Sequence, residues 1–378
     1  MKILHVTHSL VGGPAAYLDE IADAQLAALG KGNVKFLLPF DQVQYCQRLP
    51  TDAVLTFTAT SRSALSLFNF SRELLQSIRN EKPTILHLHS TFAGAIGRLC
   101  LPFFPAPRPR VIYCPHGWSF GMKTTLWKRL LYASLELALA PAADRIVMIS
   151  EHDQRQGKRW GQQAARLHLI RNAVRDHLPL QAHTPPPFDS QKLNLLFVGR
   201  LDRQKGLDTL LNAFAQARRD DTQLHVIGES FLTREHHPLP LPEGVTLHGW
   251  KSRDELIQFY THADALVVPS RWEGFGLVAA EALRSGCPVL AARVGGLPEL
   301  VVPDKTGFLF PPDSVTSLAQ LLTTIQKRDL LRLRPQARQH YQQYFDATRM
   351  NDQLLSLYAS IAPDANAAVG SRRHIEHV

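Results

Sequence analysis

The feature of this sequence that most restricts its fold is the alternation of short apolar runs with longer segments of helical periodicity. In the first half the apolar runs are KILHVTH, NVKFLLP, TILHLHS, RVIYCPH and RIVMIS. In the second half they are LNLLFVGR, TQLHVIG, VTLHGW, ALVVPS, PVLAA and GFLF. Buried strands that alternate with helices form parallel sheets with helices on both faces. The pattern therefore predicts an α/β fold.

A proline-rich break divides the alternation into two parts. The stretch HTPPPFDS at 183–190 contains three consecutive prolines, which neither a helix nor a central strand accommodates. A length of 378 residues is enough for two domains of ordinary size. We predict two Rossmann-like α/β domains, 1–182 and 191–344, that face a ligand-binding cleft at the carboxyl ends of their strands. A last helical pattern lies at about 341–361.

The composition excludes several classes of protein. Hydrophobic residues make up 45% of the chain and charged residues 20%, as in globular proteins with sizeable cores. No apolar run approaches the ~18 residues that span a bilayer, and the N-terminal MKILHVTHSLVGG is typical of a first strand rather than a signal peptide. The four cysteines have no metal-type spacing, so we expect buried thiols in a reducing cytoplasm. They are Cys46, Cys100, Cys114 and Cys287.

The net charge of +9 is confined to the first half of the chain. Residues 1–184 contain 21 Lys and Arg against 12 Asp and Glu, whereas the remainder contains 21 of each. A basic half favours an anionic partner, such as a phosphate-bearing acceptor or a membrane surface, although a solvated basic surface is the alternative. No nucleic-acid-binding motif accompanies the charge, so we expect no nucleic acid partner.

The strongest chemical motif is ALVVPSRWEGFGLVAAEALRSGCPVLA. It predicts a strand, a glycine-containing loop and a helix that begins at about Leu277. The N–H groups of Leu277 and Val278 then have no intrahelical partners and could bind a diphosphate. Glu281 lies one turn further along and leans back toward the helix start, where it could accept hydrogen bonds from ribose hydroxyls. Glu273, in the loop, could reach a sugar, although a helix-capping Glu and a solvated Glu are the alternative.

A second motif, FVGRLDRQKGLDTLL, places Arg200 and Lys205 in a tight loop between a strand and a helix. Two cations there could neutralise a diphosphate leaving group, Arg200 by two parallel hydrogen bonds and Lys205 as a point charge. The chain has no Asp-x-Asp pair to hold Mg²⁺ or Mn²⁺. We therefore expect no metal and no cofactor, with these cations in the electrostatic role of the metal.

Two weaker signals lie in the first half. Gly12 and Gly13 follow the first apolar run and would let the backbone approach a ligand closely, but the full dinucleotide fingerprint is missing. His116 follows another predicted strand and precedes Gly117, which favours a position on the ligand side of the sheet. A lone histidine is often structural, so this signal is weak by itself.

Taken together, these motifs resemble the retaining family 4 glycosyltransferases of the GT-B fold, of the bacterial surface-polysaccharide type. The similarity covers nearly the whole chain, and the two glutamates separated by seven residues are its most specific part. Ala173 departs from it, since a glycine is common there.

The resemblance implies a hexosyl transfer from a UDP- or GDP-sugar without a metal, and a final helix that packs back on the N-terminal domain from about 345. It implies that Arg200 and Lys205 bind the diphosphate, Glu281 the ribose, and that Glu273 and His116 contact the transferred sugar. It places the donor among Gly12, Gly13, Arg200, Lys205, Gly274, Phe275, Gly276, Leu277, Val278 and Glu281.

The segment GMKTTLWKRLLYASLELALA combines cations with apolar residues in the basic half. Lys123, Trp127, Lys128 and Arg129 could contact an anionic membrane or the acceptor. The alternative is that Trp127 and Leu130 face the core. The resemblance implies acceptors on lipid carriers, so we expect a cytoplasmic enzyme that docks on the inner membrane face and glycosylates a lipid-linked saccharide in exopolysaccharide or lipopolysaccharide assembly. A same-fold epimerase, or a nucleotide-sugar-binding protein without activity, remains the alternative.

Overall fold

A computed structural model describes residues 1–10, 12–58, 64–176, 188–229 and 241–362, with residues 64 and 65 described for their backbone alone. The chain forms two compact units. The N-terminal unit comprises Met1–Asn172 together with the chain from Ala347 onward, and the C-terminal unit comprises Ala173–Asp346. The proline-rich segment at 183–190 falls largely outside the described residues, so the predicted linker stays a prediction.

The N-terminal unit is built on seven parallel strands within the described residues. They are β1 (Ile3–Thr7), β2 (Val34–Pro39), β3 (Val54–Phe57), β4 (Ile85–His89), β5 (Arg110–Cys114), β6 (Arg145–Met148) and β7 (Leu167–Leu169). Their order in the sheet is β3-β2-β1-β4-β5-β6-β7. The helices that connect them are α1 (Gly13–Leu29), α2 (Ala64–Glu81), α3 (Ser90–Leu99), α4 (Leu126–Leu139) and α5 (Glu151–Arg159).

The C-terminal unit repeats this plan with six parallel strands among its described residues. They are β8 (Leu193–Val198), β9 (Thr222–Ile227), β10 (Val245–Leu247), β11 (Ala265–Val268), β12 (Val289–Ala292) and β13 (Gly307–Phe310), in the order β10-β9-β8-β11-β12-β13. The helices are α6 (Leu207–Ala217), α7 (Arg253–His262), α8 (Leu277–Arg284), α9 (Leu297–Leu300), α10 (Val315–Thr324) and α11 (Lys327–Tyr344).

Each sheet reverses its strand order beside its first strand. In the N-terminal unit the reversal lies between β1 and β4, and in the C-terminal unit between β8 and β11. Ligands of open α/β sheets bind outside the carboxyl ends of the strands at such a reversal, because the flanking loops diverge there. The loops after these four strands are therefore where a site is expected, and they contain most of the residues singled out above.

The end of the chain differs from the single helical pattern at 341–361. The structure divides it into α11 and a separate helix, α12 (Ala347–Ile361), with Phe345 and Asp346 between them. Helix α12 packs against α1: Asn351 donates to the carbonyl oxygen of Glu20 at 3.1 Å. The expected return of the final helix to the N-terminal unit is thus confirmed.

The predicted α/β alternation is confirmed, and each apolar run quoted above forms a strand. The short strands β3 and β7 were not predicted, because each has only three or four residues at the edge of the sheet. Among the described helices, none combines the length and the apolar character that a membrane crossing needs.

Candidate active site

Lys205 and Glu273 meet at the strand reversal of the C-terminal unit. Lys205 lies in the loop after β8 and Glu273 in the loop after β11, and these strands pair side by side. Nζ of Lys205 lies 2.6 Å from a carboxylate oxygen of Glu273, and both side chains are largely buried. The same oxygen accepts a hydrogen bond from Ser270 at 3.4 Å. The pair joins two motifs that are 68 residues apart in the sequence.

Arg200 lies in the loop after β8, and its side chain is bonded to residues of the same loop. Its guanidinium forms an ion pair with Asp202 at 3.0 Å and donates to the amide oxygen of Gln204 at 2.9 Å. The amide of Gln204 in turn donates to the carbonyl oxygen of Trp272 at 3.1 Å. Arg200 and Lys205 are thus each paired within the loops, and an anionic ligand would compete for these contacts.

The helix after Glu273 begins where the motif predicts. Helix α8 starts at Leu277. The N–H groups of Ala279 and Ala280 donate to the carbonyl oxygen of Gly276, and Leu277 and Val278 precede these two donors. Gly276 has a φ of 102°, a conformation that favours glycine. The N–H groups of Leu277 and Val278 therefore point out of the helix, as an anion site requires.

Two further glycines shape the loop before α8. A Cβ on Gly295 would lie 1.6 Å from the carbonyl oxygen of Glu273, and one on Gly296 would lie 2.8 Å from that of Gly274. The backbone of 295–296 therefore lies directly against the loop and holds Glu273 in place. Phe275 is buried against Phe345, so only its backbone is available to a ligand.

Glu281 has a partner that the sequence did not reveal. The hydroxyl of Tyr260, on α7, donates to a carboxylate oxygen of Glu281 at 2.9 Å. Burial, and then the neighbouring Glu281, raise the pKa of Tyr260 well above its usual value, so the hydroxyl stays protonated as a donor. The bond occupies one oxygen of Glu281 and leaves the other for a ligand.

Arg271 is a second residue that the motifs did not single out. It donates two hydrogen bonds to the carboxylate of Asp208, at 2.9 and 2.7 Å, and one to Asp313 at 2.6 Å. The hydrogen bonds from Arg271 to Asp208 lower the pKa of Asp208. Because Asp208 lies in the first turn of α6, Arg271 fastens the loop after β11 to the helix after β8.

In the N-terminal unit, Gly12 and Gly13 start α1 after β1. Gly12 has a φ of 85°, and a Cβ added to either glycine would have no neighbour within 4 Å. The space above this backbone is open, which suits the close approach of a ligand. His116, in the loop after β5, has a φ of 55°, which is uncommon for a residue with a side chain.

His116 belongs to a cluster of four histidines. His5 lies on β1 beside His87 on β4, and His89 follows two residues later on the same face of β4. His5, His87 and His89 are fully buried. Burial lowers the pKa of His5 to about 4 and that of His116 to about 3, and it lowers those of His87 and His89 well below the usual value, so all four rings are neutral at pH 7. The sequence motifs singled out His116 alone. The alternation in ILHLH, which places His87 and His89 on one face of β4, could have indicated two of the others.

Helix α4 exposes the apolar face that the alternative interpretation would have placed in the core. Trp127 is 61% exposed and Leu130 50%, and only Ala133 and Glu136 of α4 are buried. Leu126, Leu131 and Leu135 are exposed as well. We call these five exposed residues the α4 apolar face.

The cations of this segment differ in their surroundings. Lys128 is exposed, with its ammonium 5.4 Å from the ring centroid of Trp127. Arg129 instead donates to the carbonyl oxygen of Phe120 at 2.9 Å. Trp118, which precedes the segment, lies in the core. Lys123 and Lys128 are therefore more exposed than Arg129.

Comparisons with known proteins agree across both units. Residues 181–343 match the family model of glycosyl transferases group 1, and residues 11–178 match that of Glycosyltransferase Family 4. An uncharacterized 41.2 kDa protein in the cps region of Klebsiella pneumoniae is 30% identical over 331 residues, which cover 85% of this chain and 89% of the relative.

Two solved structures are similar over most of their length. Sucrose-phosphate synthase from Thermosynechococcus elongatus has a TM-score of 0.80 and 23% identity, covering 96% of this chain and 99% of that one. HepE of Anabaena in complex with UDP-glucose has a TM-score of 0.77 and 21% identity, covering 95% of this chain and 100% of that one. At these identities the similarity is one of fold.

Proposed function

The chain belongs to glycosyltransferase family 4 and has its GT-B fold, and from this premise we propose that it is a retaining, metal-independent hexosyltransferase. The donor in this proposal is a UDP- or GDP-sugar, and the acceptor is a hydroxyl of a lipid-linked saccharide. The observation that carries the proposal is the ion pair of Lys205 with Glu273 just before α8 at one strand reversal. Arg200 is linked to the same loop through Gln204, which bonds to the carbonyl oxygen of Trp272.

The donor site follows from the charges at that reversal. A nucleoside diphosphate has two negative phosphates, which the free N–H groups of α8 and the cations Arg200 and Lys205 would bind. The ribose would bind the free oxygen of Glu281, whose other oxygen is fixed by Tyr260. That HepE of Anabaena binds UDP-glucose supports this kind of donor.

The chemistry in this proposal is departure of the nucleoside diphosphate with attack by the acceptor on the same face of the sugar. Negative charge grows on the leaving phosphate, and the two cations would stabilise it more in the transition state than in the ground state. The leaving phosphate oxygen would take the proton of the acceptor hydroxyl. The family resemblance assigns Glu273 and His116 to the transferred sugar.

The acceptor half of the proposal rests on α4. A helix that presents an exposed tryptophan and four leucines beside two lysines suits an interface with anionic lipid. The relative in the cps region supports a role in polysaccharide biosynthesis, and the family resemblance implies acceptors on lipid carriers. We therefore place the enzyme in the cytoplasm, bound reversibly to the inner membrane face.

Transfer is tested by incubating the protein with a panel of UDP- and GDP-sugars and measuring nucleoside diphosphate release with and without saccharide acceptors. Release that depends on the acceptor supports the proposal, and the anomeric configuration of the product tests retention. Conversion of the sugar nucleotide without release would favour an epimerase. Binding without turnover would favour a non-catalytic protein.

Membrane docking is tested by co-sedimentation with vesicles of phosphatidylcholine and phosphatidylglycerol at low and high salt. We expect binding at low salt that is weakened by Trp127→Ala and by the pair Lys123→Glu and Lys128→Glu. Lys158→Glu, a cation of the same unit on α5, is the matched control. Equal recovery of wild-type protein in the supernatant at both salt concentrations would contradict the docking proposal and leave the transferase proposal standing.

A further inference from the structure

A chain of hydrogen bonds runs from His116 into the interior of the N-terminal unit. Nε2 of His116 lies 3.0 Å from Nδ1 of His89, and Nε2 of His89 lies 3.0 Å from Nδ1 of His5. Nε2 of His5 lies 2.7 Å from the amide oxygen of Gln25. The three inner residues are fully buried, whereas His116 is half-buried. The outer end of the chain is thus the one histidine that a ligand could contact.

All the hydrogen bonds of this chain are donated in one direction, because its imidazoles are neutral. Burial lowers the pKa of each of the three histidines far below 7. A neutral imidazole has one N–H donor and one acceptor nitrogen. A ring with a partner on both nitrogens must therefore donate to one and accept from the other. Once the direction is set at one end, it is set for the whole chain.

Gln25 sets the direction at the inner end. Its amide oxygen faces His5, and its amide nitrogen donates to the hydroxyl of Tyr358 at 3.4 Å. Since a carbonyl oxygen only accepts, His5 donates from Nε2 and accepts at Nδ1 from His89. His89 then accepts at Nδ1 from Nε2 of His116. The proton of His116 is therefore on Nε2, and its Nδ1 keeps a lone pair.

We propose that His89 and His5 are positioning residues that fix this tautomer of His116, so that Nδ1 accepts a hydrogen bond from a hydroxyl of the donor sugar. This inference rests on the proposed function, which places His116 at that sugar. Among the described residues, Nδ1 of His116 has no hydrogen-bond partner, so the acceptor is available. The buried chain would thus select a sugar with a hydroxyl at that position.

A metal ion is the competing explanation for clustered histidines. One ligand atom from each of His5, His87 and His89 lies within 4.8 Å of the others, and the same holds for His89, Cys114 and His116. However, both nitrogens of His89 are already engaged in hydrogen bonds, Nε2 with His5 and Nδ1 with His116. His87 is not one of the three linked imidazoles; it bonds at 2.8 Å to the hydroxyl of Tyr358, which also accepts from Gln25. The hydrogen-bond chain therefore explains the cluster more fully.

The tautomer is measured directly by NMR of protein labelled with ¹⁵N in histidine, through the couplings of each ring nitrogen to the ring C–H protons. We expect His116 to be protonated at Nε2 and unprotonated at Nδ1, as one species. His89→Phe should give a mixture of His116 tautomers, because Nε2 of His116 loses its acceptor. His225→Phe is the control: His225 is a buried histidine of the C-terminal unit that is hydrogen-bonded through both ring nitrogens, and its replacement should leave the His116 signals unchanged.

Activity provides the second measurement, with the donor that the release assay identifies. His89→Phe should lower kcat/KM by about tenfold, the effect of one misplaced hydrogen bond. His89→Gln should recover most of it, since an amide donates and accepts through two atoms bonded to one carbon, as the imidazole does. His225→Phe should stay near the wild-type value, and thermal unfolding of all three variants controls for stability.

The outcomes separate this inference from the proposed function. A His116 protonated at Nδ1, or a His89→Phe variant that matches His225→Phe in both tautomer and activity, would overturn the inference. So would stoichiometric zinc in the purified protein together with displaced signals of His5, His87 and His89. Absence of turnover with every nucleotide sugar would instead count against the proposed function, and the tautomer would still be measurable.

Discussion

The two units contain candidate sites built on different physical principles. In the C-terminal unit the site consists of ion pairs, among them Lys205 with Glu273, and of loops packed through glycines. In the N-terminal unit it consists of neutral, buried histidines that hydrogen-bond to one another. The first arrangement suits binding and stabilising a charged diphosphate, and the second suits orienting a neutral hydroxyl. The comparison teaches that one fold can supply both kinds of site at its strand reversals.

Removing a charge from the C-terminal site should have the largest effect. Lys205→Ala is expected to lower kcat/KM by about 10²–10³-fold, because the leaving diphosphate loses a cation where its charge grows. Arg200→Ala should act in the same direction. Steady-state kinetics with the identified donor is the measurement. Lys251→Ala is the control, since Lys251 pairs with Glu255 on the exposed surface of the same unit; turnover of the Lys205 variant close to that of this control would refute the charge assignment.

Acidification should destabilise the N-terminal unit more than the C-terminal unit, because four clustered histidines have a lowered pKa there, whereas the paired histidines of the C-terminal unit are His225 and His248. The folded pKa of His5 is about 4 against 6.5 when unfolded, so between these values the unfolded chain binds more protons and the unfolding free energy falls as the pH falls. His5 alone accounts for about 2 kcal/mol between pH 7 and pH 5. The measurement is hydrogen exchange of the backbone amides, corrected for its intrinsic rate. As the pH falls, the opening of β4 should increase more steeply than that of β12. Equal pH dependence of the two strands would remove this difference between the units.

The hydrogen bond to Glu281 should have a smaller effect. Tyr260→Phe leaves the Glu281 carboxylate in place and removes one hydrogen bond to it. The expected cost is about 1 kcal/mol, or about fivefold in affinity for the nucleotide sugar. We expect the KM for the donor to rise and kcat to change little, as measured by initial rates. A fall in kcat with unchanged KM would mean that Tyr260 acts on the transition state and not on ribose binding.

Chelation should have no effect on activity. The cations of the C-terminal site take the electrostatic role of a metal in our proposal, so transfer in EDTA should equal transfer in Mg²⁺. The measurement is nucleoside diphosphate release after dialysis against EDTA. Loss of release in EDTA that Mn²⁺ restores would show that the charged site needs a metal after all.

The sequence by itself determined the parts of the protein that depend on short stretches of chain. Apolar periodicity predicted the strands, and the glycine loop predicted the start of α8 at Leu277, because both are set by neighbours within a few residues. The family resemblance then supplied roles for Arg200, Lys205, Glu273 and Glu281, roles that remain proposals.

Only the tertiary structure decided which distant side chains meet. The register of β1 against β4 brings His5 beside His87 and within hydrogen-bonding distance of His89, and no local pattern fixes that register. The bond from Tyr260 to Glu281 likewise depends on how α7 packs against α8. The apolar periodicity of α4 was equally compatible with a buried and an exposed face, because periodicity identifies a face but not what covers it.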